Sequence, residues 1–296
     1  MRLVMLVKSN EKSESGALPD EKMLAEMGRY NARLIEAKMM LAGDGLAASS
    51  KGVKVRSAGK KITLVDGPFA EAKELVGGFW MIQAKSMEEA VSWARQVPFV
   101  EGEIELRPLF ELDDFPVDPA EQAGGWRDQE KEARAAAPEP FATLNPRKPG
   151  TRRYMLMLRA DRLTESGAQP SEKVLSQMGA LMEDLTKQGA MLAGEGLKPS
   201  SAGKRVRFAG GKSSVIDGPF TESKELIAGY VIVQSRSRAE AVAWAGRWLD
   251  IHAGQPGLEG GEIEVRPLMD LEDYPVDPKE QPDGWRDQER KFRDEP

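Results

Sequence analysis

The chain has 296 residues, 30% of them charged and 40% apolar, a globular composition long enough for one large domain or two ordinary ones. A net charge of −6 argues against a non-specific grip on nucleic acid as its main task. The absence of cysteine excludes disulfides, thiolate catalysis and Cys-ligated zinc or iron–sulfur centres.

In chain order, Leu3 to Val7 is a short apolar run bounded by charges and predicts a buried first strand. Met1 to Lys8 is too short and too quickly charged for a signal peptide, and no stretch nears the roughly 20 apolar residues of a membrane helix, so a cytoplasmic location is expected. After a loop from Asn10 to Gly16, Pro19 and Asp20 open a helix expected to run to about Met40. Its apolar stripe is Met23, Met27, Leu34 and Met39, and Gly43 is read as its C-terminal stop. The alternating runs Val53–Arg56 and Lys61–Val65 predict a β-hairpin. The nine residues Asp66-Gly67-Pro68-Phe69-Ala70-Glu71-Ala72-Lys73-Glu74 follow as a turn, and Gly78–Ala84 is a strong strand. Ser86 with Glu89 three residues on forms a capping box for a helix to about Arg95, and Glu103–Pro108 closes the unit as an alternating strand.

The whole pattern then repeats. Asp217-Gly218-Pro219-Phe220-Thr221-Glu222-Ser223-Lys224-Glu225 returns at an offset of 151 (66 to 217), which also aligns Leu41–Leu46 with Leu192–Leu197. Toward the end the offset is 159 (107 to 266), so the second half carries eight extra residues, near His252. Tails containing Trp126 and Trp285 repeat as well, and they are expected to dock on the domains through their large rings. Residues 135–150 have linker composition, which divides the chain into units 1–134 and 151–296. The order β-α-β-β-β-α-β predicts an α+β fold: two tandem ferredoxin-like units with an extra strand in each central hairpin. Each sheet would have one face free of helices, and the two would cover one another as an intramolecular pseudodimer.

Each unit resembles the YCII-related superfamily, and within it the DGPF branch, whose signature is D-G-P-F-x-E-x-K-E. The resemblance rests on Asp66–Glu74 and Asp217–Glu225, the opening strand, the Leu-Ala-Gly-(Asp/Glu)-Gly-Leu segment and the closing strands Ile104–Pro108 and Ile263–Pro267. It implies a dimeric α+β barrel arrangement, here made by fusion, and a bacterial regulatory or stress context with association to a sigma factor. Some members of the superfamily look like enzymes with a histidine on the first helix paired with an aspartate after the next Gly-rich turn. Here Met23, Met27, Val174 and Met178 occupy those helices, so that dyad does not carry over, although Asp44 and Glu195 keep an acid in the turn.

Asp66 and Asp217 are the candidate general bases, for chemistry on a small carbonyl metabolite without metal or cofactor. Glu71, Lys73, Glu74, Glu222, Lys224 and Glu225 are candidate ligand-binding groups beside them, with Asp44 and Glu195 as second acids. Arg107 and Arg266 are placed to steady an anion. The competing structural account is turn chemistry: the aspartate accepts bonds from amides just ahead, Gly and Pro set the dihedrals, and Phe69 and Phe220 anchor the turn in the core. Three readings follow: a small-molecule binding module, a cofactor-free enzyme using Asp66 or Asp217, and a protein partner of a sigma factor. His252, the sole histidine, has no visible partner in the sequence and is expected on a surface loop.

Overall fold

The computed structural model describes residues 1–59, 61–70, 75–115, 148–220, 226–255, 258, 260–270 and 273–274. The first half contains β1 (Arg2–Lys8), α1 (Glu11–Glu14), α2 (Glu21–Glu36), β2 (Met40–Gly45), β3 (Val53–Ala58), β4 (Lys61–Asp66), β5 (Val76–Gln83), α3 (Met87–Ala94) and β6 (Gly102–Pro108). The second half repeats this order as β7 (Arg152–Arg159), α4 (Arg162–Glu165), α5 (Glu172–Lys187), β8 (Met191–Gly196), β9 (Lys204–Ala209), β10 (Lys212–Asp217), β11 (Ile227–Ser235), α6 (Arg238–His252) and β12 (Gly260–Pro267). Mixed α+β architecture with two antiparallel sheets is thus present, as the periodicities predicted.

Asp20 caps α2 by accepting from the Met23 amide, and Ser86 caps α3 by accepting from the Glu89 amide. The helix from Asp20 is shorter than expected. It ends at Glu36 because Lys38 turns left-handed, with φ of 56°. Gly189 takes the same role in the second half, with φ of 61°. The residues after each turn form β2 and β8, strands missed in the sequence because Gly43 reads as a helix stop. In the structure a Cβ on Gly43 would press on the Trp80 ring 2.9 Å away, so the glycine serves packing across the sheet. Asp44 and Glu195 accordingly lie on strands rather than in Gly-flanked turns.

The sheets run β10-β9-β6-β1-β5-β2 and β4-β3-β12-β7-β11-β8. Each half therefore contributes four strands to its own sheet and donates its hairpin to the other. The extra hairpin strand expected within each unit is exchanged instead: β9 pairs with β6, and β3 pairs with β12. The exchange carries core side chains. Val206 and Phe208 complete the helix–sheet core of Leu3, Met5, Leu34, Ile82, Ile104 and Leu106. Val53 and Val55 enter the matching core of Leu156, Leu158, Trp244, Trp248 and Ile263. A third core lies between the sheets, where Val4, Leu6 and Phe79 meet Met155, Met157 and Tyr230. The two sheets cover each other's helix-free faces, and helices cap both outer faces.

His252 departs from the expected surface loop. The eight extra residues lengthen the last helix, so α6 has 15 residues against 8 in α3, and His252 is its buried final residue. Its Nε2 lies 3.0 Å from Asp161 Oδ2, and Asp161 also caps α4. Burial raises the Asp161 pKa, but the hydrogen bonds from His252 and from the Thr164 and Leu163 amides outweigh it and leave the carboxyl below its ordinary value. The first half has Asn10 at the position of Asp161.

Candidate functional sites at the exchanged hairpins

Each aspartate of the repeated motif is the last residue of the outer hairpin strand, β4 or β10. Both are exposed and ion-paired. Asp66 Oδ1 lies 3.0 Å from Arg238 Nη1, and Asp217 Oδ1 lies 2.5 Å from Lys204 Nζ, the two carboxylate side chains being 69% and 75% accessible. The amide of Gly67 donates to the Gly52 carbonyl at 3.2 Å, and that of Gly218 to the Gly203 carbonyl at 3.1 Å. The peptides Gly67–Pro68 and Gly218–Pro219 are cis. The next amides dock as well: Phe69 N–H donates to Ser49 Oγ at 3.1 Å and Phe220 N–H to Ser200 Oγ at 3.2 Å. A side chain at Gly67 would overlap the Ser49 carbonyl, and one at Gly218 the Ser200 carbonyl. The Gly218→Ala variant is therefore expected to lose ~3 kcal/mol in urea unfolding, the upper range for overpacking, whereas Gly210→Ala, in an open turn, should lose less. Equal losses would refute a steric role for Gly218.

Phe69 and Phe220 do not reach the core. They are half-buried under cations: Lys54 Nζ is 4.8 Å from the Phe69 centroid, and the Arg205 guanidinium carbon is 4.1 Å from that of Phe220. Glu71, Lys73, Glu74, Glu222, Lys224 and Glu225 lie outside the described residues, as do Trp126 and Trp285.

Behind each turn is a charged cluster assembled from both halves. In the first, fully buried Glu105 accepts from Arg107 Nη1 at 3.0 Å and from Arg205 Nη2 at 2.8 Å, with Lys8 Nζ at 3.3 Å. Arg107 also donates through Nε to the Lys198 carbonyl at 3.0 Å and through Nη2 to Glu165 at 3.3 Å. Glu165 in turn accepts from Ser200 N–H and Oγ, the same serine that receives the Phe220 amide. Burial pushes the Glu105 pKa up, but Lys8, Arg107 and Arg205 overcome it and bring the carboxyl down to about 2.

The second cluster is the pseudo-twofold copy. Fully buried Arg266 donates to Glu264 at 2.8 Å, to the Ala47 carbonyl and to Glu14, whose other oxygen accepts from the Ser49 amide at 2.9 Å. Arg159 lies 2.5 Å from Glu264. Cross-strand pairs flank both clusters: Glu103 opposes Arg207 and Glu105 opposes Arg205, while Glu262 opposes Arg56 and Glu264 opposes Lys54. The guanidinium groups of Arg107 and Arg266, candidates for holding an anion, are thus engaged with protein oxygens.

Asp44 and Glu195 belong to different contacts, at the seam of the two halves. Arg153 grips Asp44 with both terminal nitrogens, at 2.9 and 3.2 Å, and also holds Asp270. Its counterpart Arg2 holds Glu195 at 2.5 Å and Glu111 at 2.9 Å. The structure therefore separates the two sets of candidate acids. The aspartates of the repeated motif are in register with Val53 and, through Lys204, with Leu106, on the helix-side face of each sheet; the buried clusters occupy the other face, and the strand acids stand at the seam.

Sequence reasoning did not identify Lys8, Glu105, Arg205 and Glu165, or their counterparts Arg159, Glu264, Lys54 and Glu14. The alternation Glu-Ile-Glu-Leu-Arg in β6 and Glu-Ile-Glu-Val-Arg in β12 carried a signal: charges alternating with core residues mean one sheet face is polar yet covered. Among the described residues, no group of three or more acids and histidines is arranged to hold a metal ion, and no helix is long and apolar enough to cross a membrane.

The sequence pattern of the YCII-related domain matches this chain twice, at residues 1–113 and 153–272. An uncharacterized protein of Rhizobium meliloti (strain 1021) is 31% identical over 97 residues, which span 33% of this chain and 74% of that relative.

Proposed function

Because the chain belongs to the YCII-related domain family, whose pattern it carries in both halves, we propose that it is a ligand-binding member of that family taking a small anionic molecule beside its composite charged clusters. The repeated D-G-P-F signature supports placing it in the DGPF branch. The observation that carries the binding reading is the charge of the first cluster. Lys8, Arg107, Arg205 and Arg207 face Glu103, Glu105 and Glu165, four cations against three carboxylates in a chain of net charge −6. A local cationic surplus at a half-desolvated rim favours an anion.

The ion pairing of the acids supports binding over proton abstraction. Asp44 is held by Arg153, Glu195 by Arg2, Asp66 by Arg238 and Asp217 by Lys204. Glu105, with a pKa of about 2, is a poor base at neutral pH.

Thermal unfolding in phosphate and in malonate, against sodium chloride at equal ionic strength, tests this. A ligand at one hundred times its Kd adds about 2.7 kcal/mol, a Tm rise of several degrees. The rise is expected in the wild type and in Asp66→Asn, and lost in Lys8→Met, which keeps the chain volume but removes the ammonium. A rise of equal size in Lys8→Met, or none with either anion, would refute the proposal.

A further inference from the structure

Strands β4 and β10 both lie at a sheet edge, but the duplication has not kept them alike. Ile62 and Leu64 of β4 are two of the five large apolar side chains exposed among the described residues, at 41% and 54%. They stand on one face of the sheet, directly across from Ser57 and Val55 of β3. The equivalent residues of β10 are Ser213 and Val215, a polar residue and a half-buried valine packed against the first helix–sheet core. Both edges lack a further strand among the described residues, but β10 exposes one large apolar side chain, Ile216 at 38%, whereas β4 presents two on a single face. Such an edge is a template for another strand.

We propose that β4 is the contact through which two copies of this chain pair, antiparallel and about a twofold axis at Thr63, joining two six-stranded sheets into one continuous sheet. The strand is complementary to itself in this register. Opposed residues of an antiparallel pair share a face, so the axis must pass through a residue position, and the centre at Thr63 sets Ile62 of each copy against Leu64 of the other. Lys61 then faces Val65, and each ammonium arrives at the strand end carrying the other copy's Asp66, with no like charges opposed. A centre at Leu64 would set Ile62 against Asp66, and a centre at Ile62 would leave Leu64 beyond the partner strand. Twofold, self-complementary contact of this kind closes at a dimer.

Sedimentation velocity across a concentration series reads the assembly. The wild type is expected at twice its 32.6 kDa mass. Leu64→Lys, at an exposed position, should sediment as a monomer with unchanged circular dichroism and a Tm that no longer rises with protein concentration, and Ile216→Lys on β10 should remain a dimer. The register has its own readout because the chain lacks cysteine. Thr63→Cys should form a disulfide-linked dimer under mild oxidation. Lys61→Cys should not, since its two sulfurs would sit four residues apart, about 14 Å, beyond disulfide reach. A wild type that stays monomeric at its highest soluble concentration overturns the interface, as does a dimer that survives Leu64→Lys. Equal cross-linking at 61 and 63 overturns the register. Capture of a foreign extended peptide by a monomeric wild type would assign the edge to that peptide and overturn self-pairing.

Discussion

Glu105→Leu is expected to cost about 3–5 kcal/mol of unfolding free energy, the loss typical of breaking a buried ion pair from one side. The leucine would fill the space but leave Lys8, Arg107 and Arg205 converging on an apolar group, each still desolvated. The Arg205 bond is also a rung between the donated β9 and β6, so the loss should loosen the exchanged hairpin. Glu103→Leu, at a position nearer solvent, should cost about 1 kcal/mol or less. Urea unfolding at neutral pH distinguishes the two, and similar losses would mean that Glu105 carries no special weight. The pH dependence supplies a second reading. The Glu105 carboxyl titrates at about 2 in the fold against 4.5 as a free group, so the unfolded state binds the proton more readily. Its contribution, roughly 3 kcal/mol, is present in full above pH 4.5 and is lost as pH falls toward 2. Between those values the wild type should lose stability more steeply than Glu105→Leu, and parallel curves would refute the linkage.

Produced alone, residues 1–134 are expected to give no folded monomer. The half would hold β3 and β4 with no β12 to receive them, and its β6 would lack β9. Val206 and Phe208 would be missing from its helix–sheet core, and Met155, Met157 and Tyr230 from the core between the sheets. At about 25 cal/mol per Å², baring two cores competes directly with the roughly 5–15 kcal/mol by which domains are stable. Two outcomes remain: a dimer that exchanges its hairpins reciprocally, or an aggregate. Co-production with residues 148–296 should restore a one-to-one complex with the circular dichroism of the full chain. Size-exclusion chromatography with light scattering checks both. A compact, cooperatively unfolding monomer of the single half would show that the exchange is dispensable.

How much of this was legible in advance varies by residue. Asp20 and Ser86 act as helix caps, as read, because capping depends on amides a few positions away. The strand β2 was not legible, since the left-handed turn that frees it falls on Lys38, a residue type that rarely adopts one. Arg107 and Arg266 look like anion-binding residues in the sequence. Their partners Lys198 and Ala47 are donated by the opposite half, which no local pattern announces. His252 has its acid in Asp161, brought near only because the inserted residues extend α6 to reach α4.

The sequence by itself determined the duplication, the type of most elements and the family, because periodicity, capping and turn chemistry act over a few residues and are written twice. The tertiary structure alone decided that the hairpins are exchanged. Lys54 and Arg56 in one hairpin match Arg205 and Arg207 in the other, and both closing strands offer the same two glutamates, so the ion-pair code fits either sheet equally well. What selects the partner is long-range: how each hairpin leaves its own half and which face it can cover. The D-G-P-F turns lead out of those hairpins and dock their Phe69 and Phe220 amides on Ser49 and Ser200, so a local motif becomes part of a structure completed only when the halves combine.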